Sequence, residues 1–216
     1  MTEVYLLKIP EVSDEYFCEL LSYVSEKRRS RIQRLHDDRK QRQSAFAELL
    51  LRAVLCVKKG MQNELLVLRK TPKGKPYLPE SRFEFSLSHT ESLAAAAVSD
   101  CPVGVDVELI RKIDERLCQR FFSKQEQEYV FSESSNRQNR FFEIWTRKEA
   151  AVKRSGEGIT HDIAAIYTGE DEKSLHTFTV EDYVLSVCCD DGDIKVIPPC
   201  DTEKVLEEFL KKGGRC

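Results

Sequence analysis

Apolar residues recur along this chain at two distinct periods. Phe17, Leu20, Leu21 and Val24 fall at i, i+3, i+4 and i+7 behind Ser13, a suitable helix cap, and predict a helix running on into the basic stretch EKRRSRIQRL. Phe46, Leu49, Leu50, Ala53, Val54 and Val57 form a second helical stripe, with Gly60 placed to end it. ELLVLRK reads as a short strand, and TPKGKPYLPE as a turn-rich loop. From Phe83 the period drops to two: Phe83, Phe85 and Leu87 alternate with Glu84, Ser86 and Ser88, the pattern of a half-buried strand. LAAAAVS and VGVDVEL read as the next strands. Two helices are expected to start near Asp114 and Ser123, the second behind the capping box Ser123-Lys124-Gln125-Glu126. A long helix follows from about Arg137 to Arg154 and stops at Gly156 and Gly158. Strands are expected near 163–168, 175–180, 183–189 and 194–197, then a terminal helix from about Thr202. Helices mixed with hairpin-like runs of strands predict an α+β fold.

Composition narrows the partners. The 216 residues suffice for one larger domain or two small ones, and 41% hydrophobic with 33% charged is ordinary for a globular protein. A formal net charge of −3 removes any whole-molecule argument for nucleic acid or an anionic membrane. No segment approaches the ~20 apolar residues of a membrane span, and MTEVYLLKIPEVSDEYF lacks the charge-then-apolar order of a signal peptide, so a cytoplasmic protein with no membrane partner is expected. Eight cysteines without a Cys-x-x-Cys pair read as reduced structural thiols rather than a zinc site or disulfide framework.

Chemistry shows at five places. Along GVDVE the apolar residues share one strand face, while Asp106 and Glu108 share the other with Cα atoms about 6.6 Å apart. Carboxylates that close repel unless a cation lies between them, and hard oxygen donors suit Mg²⁺; a solvated edge-strand face fits the same spacing. In the long helix Phe141, Ile144, Trp145 and Val152 mark an apolar stripe onto which Lys148 and Glu149 also fall. Charge placed there is costly unless paired or chemically employed. Glu149 and Lys153, at i and i+4, fit either a surface ion pair or a part-buried functional carboxylate near Trp145. Ser88-His89-Thr90 ends the alternating strand, where a histidine serves either as a phosphate donor or structurally. Gly74-Lys75-Pro76 holds a lysine in a rigid loop, suited to phosphate or nucleobase contact or to a simple turn. Residues 27–42 carry eight Lys or Arg against Asp37 and Asp38, a local positive field that fits phosphate, an acidic partner, nucleic acid or a solvated helix face.

In chain order GKPYLPE, SLSHT, GVDVE, RFFSKQE and WTRKEAAVK resemble the successive motifs of the surfactin-type (long) 4′-phosphopantetheinyl transferases, over about residues 74 to 153. The specific signal is GVDVE followed roughly forty residues later by W-x-x-K-E-A-x-x-K. The resemblance implies a pseudo-dimer of two similar α/β halves, residues 1–102 and 103–216, with coenzyme A and the active site in the cleft between them. It implies that Asp106, Glu108 and Glu149 bind Mg²⁺, or Mn²⁺ in its place. Lys148 and Lys153 would lie near the phosphates, and Lys75, Pro76, Ser88 and His89 would contact coenzyme A. His89 would meet the 3′-phosphate with help from Lys27, Arg28 or Arg31, and residues 111–123 would face the carrier protein. The implied activity is transfer of phosphopantetheine from coenzyme A to a serine of an apo acyl or peptidyl carrier protein, releasing 3′,5′-ADP. Glu149, Asp106 and Lys153 would be its catalytic residues, in a monomer. Three other readings compete: a Mg²⁺-dependent phosphodiesterase, an inactive coenzyme A- or carrier-binding module, and a nucleic-acid-binding module resting on residues 27–42.

Overall fold

The computed structural model describes residues 1–158, 163–166, 168–169, 172–212 and 214. In chain order its first elements are β1 (Thr2–Lys8), α1 (Asp14–Leu20), α2 (Glu26–Gln33), α3 (Asp38–Lys59), β2 (Arg69–Lys70), β3 (Pro76–Tyr77), β4 (Glu84–His89), β5 (Leu93–Ser99) and β6 (Gly104–Leu109). After these come α4 (Glu115–Phe121), α5 (Lys124–Phe131), α6 (Arg137–Ser155), β7 (Leu175–Val180), β8 (Tyr183–Cys188), β9 (Ile194–Ile197) and α7 (Pro199–Lys212). The expected α+β class is what folds, as two halves that each pair a sheet with a long helix: β4-β5-β1-β9 with α3, and β6-β8-β7 with α6.

Alternation decides how these layers stack. Tyr5 and Leu7 of β1, with Ala94, Ala96 and Val98 of β5, join the core made with α1, α3 and α7. Val4, Leu6, Leu93, Ala95 and Ala97 point the other way and meet Val105, Val107, Leu185 and Val187 of the second sheet. Both faces of the first sheet are therefore covered, which explains the unbroken apolar run of β5. Ser86 and Ser88 of β4, expected on a solvated face, are buried for the same reason. Strand β6 is the edge of its sheet, and its Val105 and Val107 amides donate to Ser86 Oγ at 3.0 Å and Ser88 Oγ at 3.3 Å. Two serine hydroxyls thus close an edge that would otherwise bury unpaired donors.

Several boundaries differ from the periodic reading. The expected first helix breaks: α1 passes through a 3-10 turn at Leu21–Tyr23, and Ser25 then caps α2 by accepting from Arg28 N. Of ELLVLRK only Arg69–Lys70 pairs as a strand. Ile163–Ala165 form a 3-10 turn rather than a strand, because the carbonyls of Ile163 and Ile166 are taken by a lysine ammonium; the remainder of that expected strand includes residue 167, outside the described residues. Strand β9 runs parallel to β1, and α7 packs its Val205, Leu206 and Phe209 into the first core. Residues 194–197 thus extend the first sheet, and α7 packs beside it.

Gly104 sets the spacing between β6 and α6. A Cβ there would stand 1.9 Å from the Ala150 carbonyl oxygen and 2.5 Å from Arg154 N, both backbone atoms that cannot swing aside. Gly104→Ala should therefore cost about 3 kcal/mol of stability, read as a lowered urea midpoint, with the loss falling on the strand that carries Asp106.

Candidate active site

Strand β6, strand β4 and helix α6 converge on one carboxylate. Asp106 alternates with Val105 and Val107, so it faces α6 rather than the inter-sheet core, and it is buried. Its Oδ1 accepts from Ser88 Oγ at 2.8 Å and from Lys153 Nζ at 2.7 Å. Lys153 also donates to Ser88 Oγ at 2.9 Å. Asp106 Oδ2 is buried with no hydrogen-bond partner among the described residues. The i, i+4 pair of Glu149 with Lys153 does not form; among the described residues Lys153 pairs with Asp106 instead.

Glu108 and Glu149 flank this centre. Burial first, then the Asp106 charge, raises the Glu149 carboxyl above the usual range, against an opposing pull from Lys153 and with a further push from Glu108. Burial and Asp106 raise Glu108 in the same order, although Arg111 offsets part of it from 3.1 Å. Glu108 and Glu149 thus both feel the Asp106 charge, and Asp106 Oδ2 has no hydrogen-bond partner among the described residues. Among the described residues no three His, Cys, Asp or Glu side chains form a closed metal cage. Mg²⁺ needs none, because it is held by one or two carboxylates together with substrate phosphates and water. The donor set is oxygen only and fits that ion.

The remaining expected residues divide. A cavity of about 250 Å³ lies between the 73–76 loop, β4 and the end of α6, and Lys75, Pro76, Glu149, Lys153 and Gly156 line it. The Lys75 ammonium itself donates to the Arg154 carbonyl at 2.8 Å and, longer, to the Val103 carbonyl, tying the loop to the C-terminus of α6. His89, at the end of β4, keeps an exposed edge. Partial burial, Lys153 and then Arg28 hold its imidazole below the usual histidine range, against a pull from Asp106. Arg31 and Arg28 likewise depress Lys70, whose largest cause is burial. The charges of Arg28 and Arg31 thus reach Lys70, and those of Lys153, Arg28 and Asp106 reach His89. Lys27 is exposed on α2, and it is Arg28 that turns inward. Lys70 was missed in sequence because a lysine at the end of a two-residue strand carries no signal.

Lys148 is a correction. Five residues of helix separate it from Lys153, about 140° around the axis, so the two ammonium groups cannot serve one site. Lys148 is wholly buried and donates to the Ile163 and Ile166 carbonyls at 2.9 and 2.8 Å, and it pairs with Glu126 Oε1 at 3.0 Å. Glu126 Oε2 meanwhile closes the capping box on Ser123 N. Lys148→Met should cost about 3 kcal/mol by thermal denaturation, since it removes the ammonium from a part-buried carboxylate and leaves two carbonyls without that donor. Lys148→Met with Glu126→Gln should cost clearly less than the sum of the two single changes.

Residues 11–101 match the family profile described as 4'-phosphopantetheinyl transferase, N-terminal, and residues 102–194 match that of the 4'-phosphopantetheinyl transferase superfamily. The chain is 33% identical over 161 residues to the 4'-phosphopantetheinyl transferase gsp of Aneurinibacillus migulanus, covering 74% of this chain and 68% of that one. It is 30% identical over 167 residues to psf-1 of Bacillus pumilus, covering 76% and 72%. It is 24% identical over 151 residues to Sfp of Bacillus subtilis strain 168, covering 69% and 67%. Motifs, fold and relatives converge: this chain belongs to the 4'-phosphopantetheinyl transferase superfamily, in its surfactin-type branch.

Proposed function

We propose that the enzyme moves the 4′-phosphopantetheine of coenzyme A to a serine hydroxyl of an apo acyl or peptidyl carrier protein, releasing 3′,5′-ADP, and that it acts as a cytoplasmic monomer. No helix among the described residues is long and apolar enough to cross a membrane. The observation that carries the reading is Asp106 Oδ2, unpartnered among the described residues, beside two carboxyls raised first by burial and then by the Asp106 charge. Asp106, Glu108 and Glu149 would hold Mg²⁺, or Mn²⁺ in its place. Bound there, the cation supplies neutralisation of charge at the donor's pyrophosphate.

The chain's own groups have separable tasks. Glu149 is a carboxylate of raised proton affinity within the cavity, suited to accept the serine proton directly or through a water. Lys153 is held against Asp106 and Ser88 with its side chain still 28% exposed, so its ammonium faces phosphate oxygens from a fixed origin. Lys75 and Pro76 wall the cavity opposite α6 and would flank coenzyme A. Arg28, Arg31, Lys70 and His89 would receive the 3′-phosphate, which carries the extra charge that distinguishes the donor from its dephospho form. The α4 segment, with Leu117 36% exposed among Arg116 and Arg120, would face the carrier.

Intact mass of an apo carrier incubated with enzyme, coenzyme A and Mg²⁺ should rise by one phosphopantetheine group and not rise with EDTA. Asp106→Asn and Glu149→Gln should slow transfer about a thousandfold. Mg²⁺ should raise the melting temperature of the wild type and leave that of Asp106→Asn unmoved; an unchanged wild type would refute the carboxylate site. His89 supplies a pH test. Its imidazole is neutral near pH 7, and a neighbouring phosphate favours its charged form, so donor binding takes up a proton. The KM for coenzyme A should therefore fall as the pH is lowered toward the histidine range, and fall less with 3′-dephospho-coenzyme A or in His89→Gln.

A further inference from the structure

Glu48 lies outside the site just described and yet holds part of it. Its side chain, on α3, is 6% exposed and lies between two guanidinium groups. Arg52 Nε donates to Glu48 Oε1 at 3.1 Å, while Arg28 Nε stands 2.5 Å from Glu48 Oε2. Arg52, itself 1% exposed, continues inward and donates to Asn63 Oδ1 at 2.9 Å and to the Leu66 carbonyl at 3.2 Å. It thereby fixes the segment that leads into Lys70. Arg28 runs the other way, and its Nη2 donates to Ser44 Oγ at 2.9 Å and to the Ser44 carbonyl at 3.1 Å. The charge of Glu48 also reaches Lys70, where it opposes the two arginines.

An arginine side chain free in solution carries about 2 kcal/mol of rotamer entropy that a ligand must overcome to be gripped. Here the grip precedes the ligand, because the guanidinium lies against the Glu48 carboxylate as an ion pair and its Nη2 is hydrogen-bonded to Ser44. We propose that Glu48 is a positioning residue for the donor's 3′-phosphate: it orients Arg28 and, through Arg52, sets the segment carrying Lys70. This rests on the reading that Arg28, Lys70 and His89 receive that phosphate.

The test is steady-state transfer with coenzyme A and with 3′-dephospho-coenzyme A. Glu48→Gln should raise the KM for coenzyme A about tenfold at nearly constant kcat and leave the KM for the dephospho donor within about twofold. Arg28→Ala should give the same split, and Glu48→Gln should add nothing in that background. Glu48→Asp keeps the charge opposite Arg52 but withdraws it from Arg28. It should give a smaller, donor-selective rise of about threefold, and it is the variant to read if Glu48→Gln does not fold. Equal losses with both donors, or a change in melting temperature alone, while Arg28→Ala still discriminates, would overturn the role of Glu48. If Arg28→Ala itself loses both donors equally, the phosphate assignment falls and this proposal with it.

Discussion

The hydrogen-bonded meeting of Asp106, Ser88 and Lys153 is the contact on which the rest of this molecule depends. Each comes from a different element, and β4 belongs to one half while β6 and α6 belong to the other. A carboxylate buried at 5% exposure is costly unless it is charged against something and hydrogen-bonded. Asp106 meets that demand with one oxygen only. The ammonium and hydroxyl engage Oδ1, and Oδ2 is left with unspent capacity next to Glu108 and Glu149, whose protonation is already favoured by the same crowding. A fold that concentrates negative charge in this way is destabilised locally, and a cation relieves it. The site is organised by a shortage of positive charge, with Lys153 and Arg111 making up part of it.

That convergence requires the two halves to approach closely, and small groups permit it. Ser86 and Ser88 replace backbone carbonyls as acceptors for the β6 edge, Gly104 lets α6 pass against the strand, and the alanines of β5 thin the first sheet between its two cores. The same serine that closes the sheet edge orients Asp106 and Lys153. Fold and chemistry therefore share an atom at Ser88 Oγ, and substitutions there affect both.

How much of this was readable beforehand follows from the range of the interactions. Local signals read well: the Ser123 capping box, the helix ends at Gly60 and Gly156 in left-handed conformation, and the strand pattern of GVDVE all form. Asp106 and Glu108 were singled out because they share a strand face, and Glu149 because it broke an apolar stripe. Readings that needed tertiary knowledge failed or stayed open. Ser25 competes as a second cap, so the basic stretch restarts on a new helix axis, and a single-helix reading could not separate Lys27 from Arg28. Lys148 looked as functional as Lys153, because its partner Glu126 lies 22 positions away in sequence on α5. Ser86 and Ser88 looked solvated, because periodicity reports that a face is polar and not what covers it.

Each half also contains an ion pair set into its interior away from Asp106, Glu108 and Glu149: Glu48 with Arg52 and Arg28 in the first, Glu126 with Lys148 in the second. Neither arrangement is an economical way to gain stability, since well-packed apolar residues of similar size are commonly as stable. What the charged groups add is direction. Arg52 reaches the Asn63 and Leu66 backbone, and Lys148 reaches the carbonyls of Ile163 and Ile166. In both halves a long cationic side chain from the main helix adds its donors to the carbonyls of an irregular segment and pins it. An apolar core could fill the same volume without fixing where those segments run. The segment pinned by Arg52 leads to Lys70, and the one pinned by Lys148 packs against α5 and α6. The course of each irregular segment is therefore set from inside its half, through ion pairs on the main helices.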